Sequence, residues 1–500
     1  MGKSGLLLGI DLGSSSIKVS VLDPETGKKN AQGVSPKQEL DIQAPNPGWA
    51  EQDPETWITH IKNALNEVKT QLGDGLNSVA AIGISYQMHG LVLIDDAGNV
   101  IRPSIIWCDG RAVPYGNRAF SDLGEDFCLP ALLNSPGNFT AAKLAWVKEN
   151  EPDNFKKINK IMLPGDYAAF RLTGEPVITP SGLSEGILWN FKENRIAQAL
   201  MDYFGFQENL LPQIRPVFSE QGRVTQAASD EFGLPAGIPV AYRAGDQPNN
   251  AFSLNVMNPG ELAATAGTSG VVYGIIDTPS YDQKSRVNTF VHVNHTQENP
   301  RYGVLLCLNG TGILNRWIKM NCGGDSIDYK DINNTAAEAP VGSDGLVILP
   351  YGNGAERTLE NNDPGASVHG LNFNVHSRKH LYRASQEGIV FALAYGIEIM
   401  QNMGLSVDTV KAGYANMFLS PLFSEAFSSV SGATIHLYST DGSEGAARGA
   451  GIGAKIFSGR EEAFKGLEER DVIEPSESKV DRYREAYGRW KSVLNRQLNS

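Results

Sequence analysis

"LLLGIDLGSSSIKVSVLD" (residues 6–23) sets an acid at the join of two strands. Apolar residues run up to Asp11, small flexible ones follow, and a strand pattern resumes at Ile17. Residues 6–12 and 17–22 therefore predict a hairpin. Successive N–H groups of such a Gly-Ser turn point into one concavity and attract phosphate oxygens, and small residues allow close approach. A bare carboxylate repels phosphate, so beside a phosphate turn Asp11 would face a magnesium ion. A capped turn with a solvated Asp fits the same residues.

The device recurs at "ELAATAGTSGVVYGIID" (residues 261–277), where a strand again enters a Gly/Thr/Ser turn and a second strand ends in Ile-Ile-Asp. The repeat predicts two related halves, each with a phosphate-type turn, joined near Ser253–Pro259. Two short hairpins recurring by chance is the other explanation.

A chain of 500 residues is too long for one ordinary core, and two domains are expected. The net charge of −13 argues against a nucleic-acid surface, though it leaves room for a small anionic ligand bound by backbone amides. Cys108, Cys128, Cys307 and Cys322 show no CxxC spacing and read as reduced thiols of a cytoplasmic protein. No leader and no membrane span are expected from the apolar runs.

Asp53-Pro54 opens a helix with Trp57, Ile58, Ile61, Leu65, Val68 and Leu72 at helical spacing. Strands are expected at "AAIGISYQ", "GLVLID" and "VIRPSIIW". "RASQEGIVFALAYGIEIMQNMG" predicts a buried helix, and "SPLFSEAFSSVSG" one capped by Ser420 and stopped by Gly432. "SEGAARGAGIGAKIFSG" predicts a helix from Ser443 to Gly459, whose glycines fail the GxGxxG spacing and point to close helix packing.

Three further stretches carry chemistry. "SYQMHGLVL" places Met88 and His89 after a strand, and "WCDGRA" holds Asp109 and Arg111, which could simply pair. In "VAYRAGDQPNNAFSLN" a strand ends at Gly245 and polar residues crowd behind it; Asp246 is the best general-base candidate of the chain.

Taken in order, these segments resemble the FGGY carbohydrate kinases over nearly the whole chain. "GIDLGSSSIKV", "WAEQDPETW", "FTAAKLAWVKEN", "LPGDY", "RLTGE", "AGTSGVVYG", "LPYGNGAERT" and "RASQEGIVFALAYG" are similar to family segments, and "QMHG" and "WCDGR" resemble those of members acting on D-xylulose. The resemblance implies an α/β fold of two ribonuclease-H-like (actin/hexokinase-like) domains, 1–254 and 255–500. Each would be a mixed sheet flanked by helices, with ATP and sugar in the interdomain cleft and a hinge near the join.

It also implies residue roles. Asp246 would be the catalytic base and Asp11 the acid near Mg2+, reached through water. Met88, His89, Trp107, Asp109 and Gln247 would contact sugar. Ser14, Ser15, Lys18, Gly267, Thr268, Ser269, Gly310, Gly413 and Asn416 would contact nucleotide. One segment departs from the pattern: the family's triple glycine near the adenine is here "KAGYANMF", with only Gly413 kept and Asn416 in place of a basic residue.

The activity implied is ATP-dependent phosphorylation of the terminal hydroxyl of D-xylulose. The alternatives are a sister kinase for ribulose, gluconate or glycerol, or a silent sensor on the same fold. Partners would be sugar and ATP, without nucleic acid or membrane, and the assembly allowed for is a homodimer.

Overall fold

The computed structural model describes residues 5–323 and 327–499. Packing divides the chain into two units. Unit 1 holds the chain up to Asn255 together with Phe290–Tyr302 and Thr440–Leu467; unit 2 holds Val256–Thr289, Gly303–Ser439 and the chain from Glu468 on. The chain thus passes from unit 1 to unit 2 within the stretch read as the join, and returns twice.

The sheet of unit 1 has five strands: β1 (Leu6–Leu12), β2 (Ile17–Leu22), β3 (Lys29–Ser35), β4 (Val79–Tyr86) and β5 (Val240–Gly245), in the order β5-β4-β1-β2-β3. β1, β2 and β3 form an antiparallel meander, while β4 and β5 run parallel to β1. One face is covered by the Pro54–Leu72 helix. Asp53 caps it by accepting from the Glu55 amide at 3.0 Å. Its Trp57, Ile58, Ile61, Leu65 and Val68 join Leu8, Ile10 and Val19 in one core cluster. Each such side chain stabilises the unit by about 1.5–3 kcal/mol on burial.

The Gly442–Gly453 helix also packs on this sheet, and glycines set how closely. A Cβ on Gly9 would stand 1.9 Å from the Ser443 carbonyl oxygen, and one on Gly83 2.0 Å from that of Ala446. From the helix side, a Cβ on Gly453 would meet the Ala241 carbonyl oxygen at 1.8 Å. The packing role expected of this glycine-rich segment is therefore met from both partners. The expected cap is corrected: Asp441, not Ser443, accepts from the Glu444 amide, at 3.1 Å, and the helix ends at Gly453, well before Gly459. Ser443 is drawn into side-chain bonds instead, to Asp441 at 2.6 Å and Ser20 at 2.8 Å.

Unit 2 repeats the plan. Its strands β6 (Glu261–Ala266), β7 (Gly270–Ile276), β8 (Tyr302–Leu308), β9 (Thr409–Gly413), β10 (Thr434–Ser439) and β11 (Glu468–Ile473) lie in the order β8-β7-β6-β9-β10-β11. β6 pairs antiparallel with β7 and parallel with β9, which pairs parallel with β10. The first five match β3-β2-β1-β4-β5 of unit 1 position for position, so the duplicated hairpin marks a duplicated sheet. The Arg378–Asn402 helix is buried along most of its length. The strand expected across "VIRPSIIW" shrinks to Ser104–Ile105, because Pro103 supplies no ladder donor.

None of the four cysteines is in a disulfide. Among the described residues no helix is long and apolar enough to cross a membrane.

Candidate active site

Three parallel strands of unit 1 end side by side, and their carboxyl ends carry the chemistry, as is general for parallel sheets. Asp11 lies near the end of β1, opposite Lys18 on β2 and Ser85 on β4. Loss of water lifts its carboxyl above the ordinary range and Asp441 adds to that, offset in part by a Ser85 hydrogen bond and by Lys18. Lys18 Nζ stands 3.4 Å from Asp441 Oδ2. Burial alone would raise Asp441 too, but Lys18, Ser443, Lys29 and the Glu444 amide outweigh it and hold that carboxyl below its usual range.

Asp246 follows β5 directly and opens the Asp246–Ser253 helix. Loss of water is the largest influence on its carboxyl and the charge of Asp11 the next; together they push it up to about 7 against the bonds it takes from Gln247. A carboxylate so placed is half-ionised near neutral pH, the range that suits a general base. Its helix is anchored by Asn249, which donates to the Gly442 carbonyl at 2.8 Å and accepts from the Tyr242 hydroxyl at 3.1 Å.

Beyond β4, the Gln87 amide donates to the Leu12 carbonyl at 2.8 Å. Met88 follows, buried against Gly245, where a Cβ would meet its Cγ at 2.6 Å. His89 has φ 61°, an uncommon conformation for a side-chain-bearing residue that needs outside support. Two bonds supply it. Lys143 Nζ donates to the His89 carbonyl at 2.7 Å, and His89 Nδ1 lies 2.9 Å from the Glu185 carbonyl. A carbonyl only accepts, so Nδ1 carries the proton of that bond. The ring is held edge-on to Phe139 at 4.8 Å.

The Gly13–Ser16 turn is closed by the Gly13 amide donating to the Ser16 carbonyl at 3.1 Å. Gln52 Nε2 donates to the Ser14 carbonyl at 2.7 Å, while its Oε1 accepts from Trp57 at 3.0 Å and Gln87 at 3.1 Å. Trp107 is partly exposed with Nε1 3.3 Å from Ser14 Oγ, which brings it to this turn. Asp109 is a correction. It is fully buried, and both oxygens are engaged, by Arg111 at 2.7–3.0 Å and by the Ala50 amide at 2.5 Å. Its oxygens are thus taken up within the fold by Arg111 and Ala50.

In unit 2 the Gly267–Ser269 turn joins β6 to β7. Its Gly267 carbonyl accepts from the Gly312 amide at 2.9 Å and the Thr311 hydroxyl at 3.0 Å. Gly310, φ 90°, starts the Thr311–Ile318 helix beside it. Asn416, φ 54°, brings its amide to 3.4 Å from where a Cβ on Gly267 would stand. A Cβ on Gly413 at the end of β9 would meet nothing within 4 Å. Gly267, Gly310 and Asn416, far apart in sequence, thus surround one small-residue turn.

Residues 6–253 match the FGGY family of carbohydrate kinases, N-terminal domain, and residues 262–454 its C-terminal domain. The chain belongs to the FGGY family of carbohydrate kinases. Among relatives of this FGGY kinase, the xylulose kinase of Haemophilus influenzae is 28% identical, with 98% of this chain and 99% of the relative covered. The xylulose kinase of Lactococcus lactis is 28% identical with 97% and 96% covered. A crystal structure of a xyloylose kinase from Brucella ovis superposes with a TM-score of 0.88 at 26% identity, covering 98% of this chain and 99% of that one. The gluconate kinase of Lactobacillus acidophilus shares the fold, with a TM-score of 0.88 at 21% identity and 99% and 98% coverage. The FGGY kinase is an ATP-dependent sugar kinase of the two-unit α/β fold expected from its sequence.

Magnesium fits the donor set in one way only. Among the described residues no group of three or more His, Cys, Asp or Glu side chains is arranged to hold a metal. An ion carried by nucleotide phosphates and water needs just one or two carboxylates, and Asp11, partly exposed at the end of β1, suits that. Sequence reading missed Gln52, Glu185 and Asp441. Gln52 had a signal, its place in "WAEQDPETW"; Asp441 lies far along the chain and joins Lys18 only through folding.

Proposed function

We propose that this FGGY kinase transfers the γ-phosphoryl group of ATP to the terminal hydroxyl of D-xylulose, with Asp246 as general base. The observation that carries the reading is the pairing at the strand ends: Asp246 raised to about 7, next to Asp11, both partly exposed. The relatives named xylulose kinase support the sugar assignment.

Phosphoryl transfer asks little covalent help of a protein; it asks for alignment, charge neutralisation and a proton acceptor. The Asp246 carboxylate takes the proton of the sugar hydroxyl as that oxygen attacks the γ-phosphorus and ADP leaves. General-base help of this kind contributes about 10²–10⁴-fold. The His89 ring contacts another sugar hydroxyl, and Met88 supplies an apolar wall beside it. On unit 1 the Ser14–Ser15 amides, with Lys18, offer donors to nucleotide phosphates; on unit 2 the Gly267–Ser269 turn offers donors of the same kind. Asp11 would hold magnesium through water, and the ion neutralises phosphate charge when bound.

The test is a panel of xylulose, ribulose, gluconate and glycerol with coupled ADP detection. Xylulose is expected to give the highest kcat/KM; a higher value for another acceptor overturns the sugar assignment while leaving the kinase assignment intact.

A further inference from the structure

Glu185 is a buried acid with no ion pair and no well-formed hydrogen bond among the described residues. It ends the Pro180–Glu185 helix and is 1% exposed; no hydrogen bond of good geometry reaches either carboxyl oxygen, although the Tyr86 hydroxyl lies near enough to favour the ionised form. Its place is set from two sides. Its main-chain carbonyl holds His89 Nδ1 at 2.9 Å. Its Oε2 lies 2.9 Å from the point where a Cβ on Gly245 would stand, the point Met88 Cγ approaches to 2.6 Å. The carboxyl therefore packs against the backbone one residue before Asp246, in the same knot of side chains as Met88.

The groups that face it come from every surrounding element: Tyr86 from β4, Asp166 from the Pro164–Thr173 helix, Lys143 from the Thr140–Asn150 helix, and Asp246 itself. Tyr86 and Lys143 ease a negative charge there only in part, and Asp166 and Asp246 oppose it. Asp166 is paired with Arg243 at 2.8 Å, and Lys143 is turned to the His89 carbonyl. Loss of water outweighs the Tyr86 hydroxyl and Lys143, and a carboxylate so poorly compensated in dry surroundings is strongly disfavoured, so the group keeps its proton. Burial indeed pushes the Glu185 carboxyl well above its ordinary range.

We propose that Glu185 is a positioning residue for Asp246: as a neutral carboxylic acid it packs Met88 and Gly245 into place and keeps a further negative charge away from the base. The inference rests on Asp246 being that base. Where two carboxyls share a site, an environment that holds one neutral leaves the other free to ionise near neutrality. At alkaline pH, ionised Glu185 sets a like charge against Asp246 and draws water into the Met88–Gly245 packing, which loosens the alignment of the base.

The test combines the pH dependence of kcat with infrared difference spectra of the wild-type chain and its variants. A protonated-carboxyl carbonyl band present at neutral pH is expected to bleach on the alkaline side in step with the loss of kcat. Glu185→Gln should lack both that band and the alkaline limb. Glu185→Ala leaves a hole where the carboxyl packs; kcat should fall by about tenfold or more with KM for ATP moved less than about twofold, and Gln at 185 should restore most of the loss. An alkaline limb that survives in Glu185→Gln belongs to another group, Lys143 first, and overturns the proposal; so does an unchanged infrared band. The spectra do not depend on turnover. Near-normal turnover of Asp246→Asn with the band intact would therefore fail the base assignment and not the neutrality of Glu185.

Discussion

Asp11 and Asp246 stand at the same end of two parallel strands with one strand between them. Asp11 is aligned with Ser85 on β4, Ala244 with the same Ser85, and Asp246 comes two residues later. Two strand spacings put their backbones about 10 Å apart, close enough for Asp11 to be the second-largest influence on the Asp246 carboxyl. Sheet register thus couples the proposed base to the proposed magnesium-side acid.

Asp246→Asn keeps the size of the side chain and removes the base. Turnover is expected to fall about 10²-fold or more with little change in KM for ATP. Xylulose-dependent ADP formation by the folded variant measures it; if Asp246 only caps its helix, Asn would serve almost as well.

The acid side of the rate profile should report the same group. A carboxyl raised to about 7 loses its ionised form as pH falls through that value, so kcat/KM should drop below neutrality. Asp11→Asn removes one of the two influences that raise Asp246, and its acid limb should move to lower pH. Part of its remaining defect should respond to added magnesium. Profiles of both proteins at several magnesium concentrations check this; an acid limb unmoved in Asp11→Asn would break the coupling.

Stability should carry the opposite sign. The Asp246 carboxyl lies at about 7 when folded against an ordinary 3.8, so the folded state binds the proton more tightly. That contribution is fully present below the unfolded value and is lost as pH rises through about 7. Asp246→Asn should therefore melt at a higher temperature than the wild type at about pH 8, with the gap closing toward acid pH. Thermal melts at a series of pH values measure it, and a lower melting temperature for the variant at alkaline pH contradicts the assignment.

The hairpins at 6–22 and 261–276 were legible because each is local: two strands, a small-residue turn and an acid in one continuous stretch. Asp246 was legible for the same reason, as the first residue after an apolar strand. The glycines of 445–453 were legible as packing residues, but their partners Gly9 and Gly83 were not, because nothing in sequence ties those positions together. Asp109 misled because its motif sits beside Trp107, which does reach the turn, while its own side chain points into the fold toward Arg111. Glu185 gave no signal, since the deep burial of an acid is a property of packing alone.

His89→Ala should raise KM for the sugar roughly 3–10-fold, the worth of one hydrogen bond, with KM for ATP nearly constant. The ring is also part of the Phe139–Phe290 cluster, at 4.8 and 5.5 Å. His89→Asn, which keeps a hydrogen-bonding group and tolerates positive φ, should recover part of the loss. Equal losses for both ligands in His89→Ala would point to a disturbed fold.

Gly83→Val tests the close approach of sheet and helix. Gly83 lies on β4, two residues before Ser85, and its Cβ would stand 2.0 Å from the Ala446 carbonyl oxygen and 3.3 Å from Ala450 Cβ. The nearest obstacle is helix backbone, which has no rotamer to yield, so the Gly442–Gly453 helix must lift from the sheet. That helix carries the Gly442 carbonyl bonded to Asn249, and its cap, Asp441, pairs with Lys18. Overpacking of this kind costs about 1–3 kcal/mol or more. The variant should show a lower urea midpoint, and kcat should fall as well, because the lifted helix releases both Lys18 and the Asp246–Ser253 helix. A control at Gly73, where a Cβ would meet nothing within 4 Å but φ is 57°, should lose stability through backbone strain alone and keep wild-type kcat. If Gly83→Val loses stability but turns over normally, the helix is a structural support only, and its link to the base through Asn249 is broken.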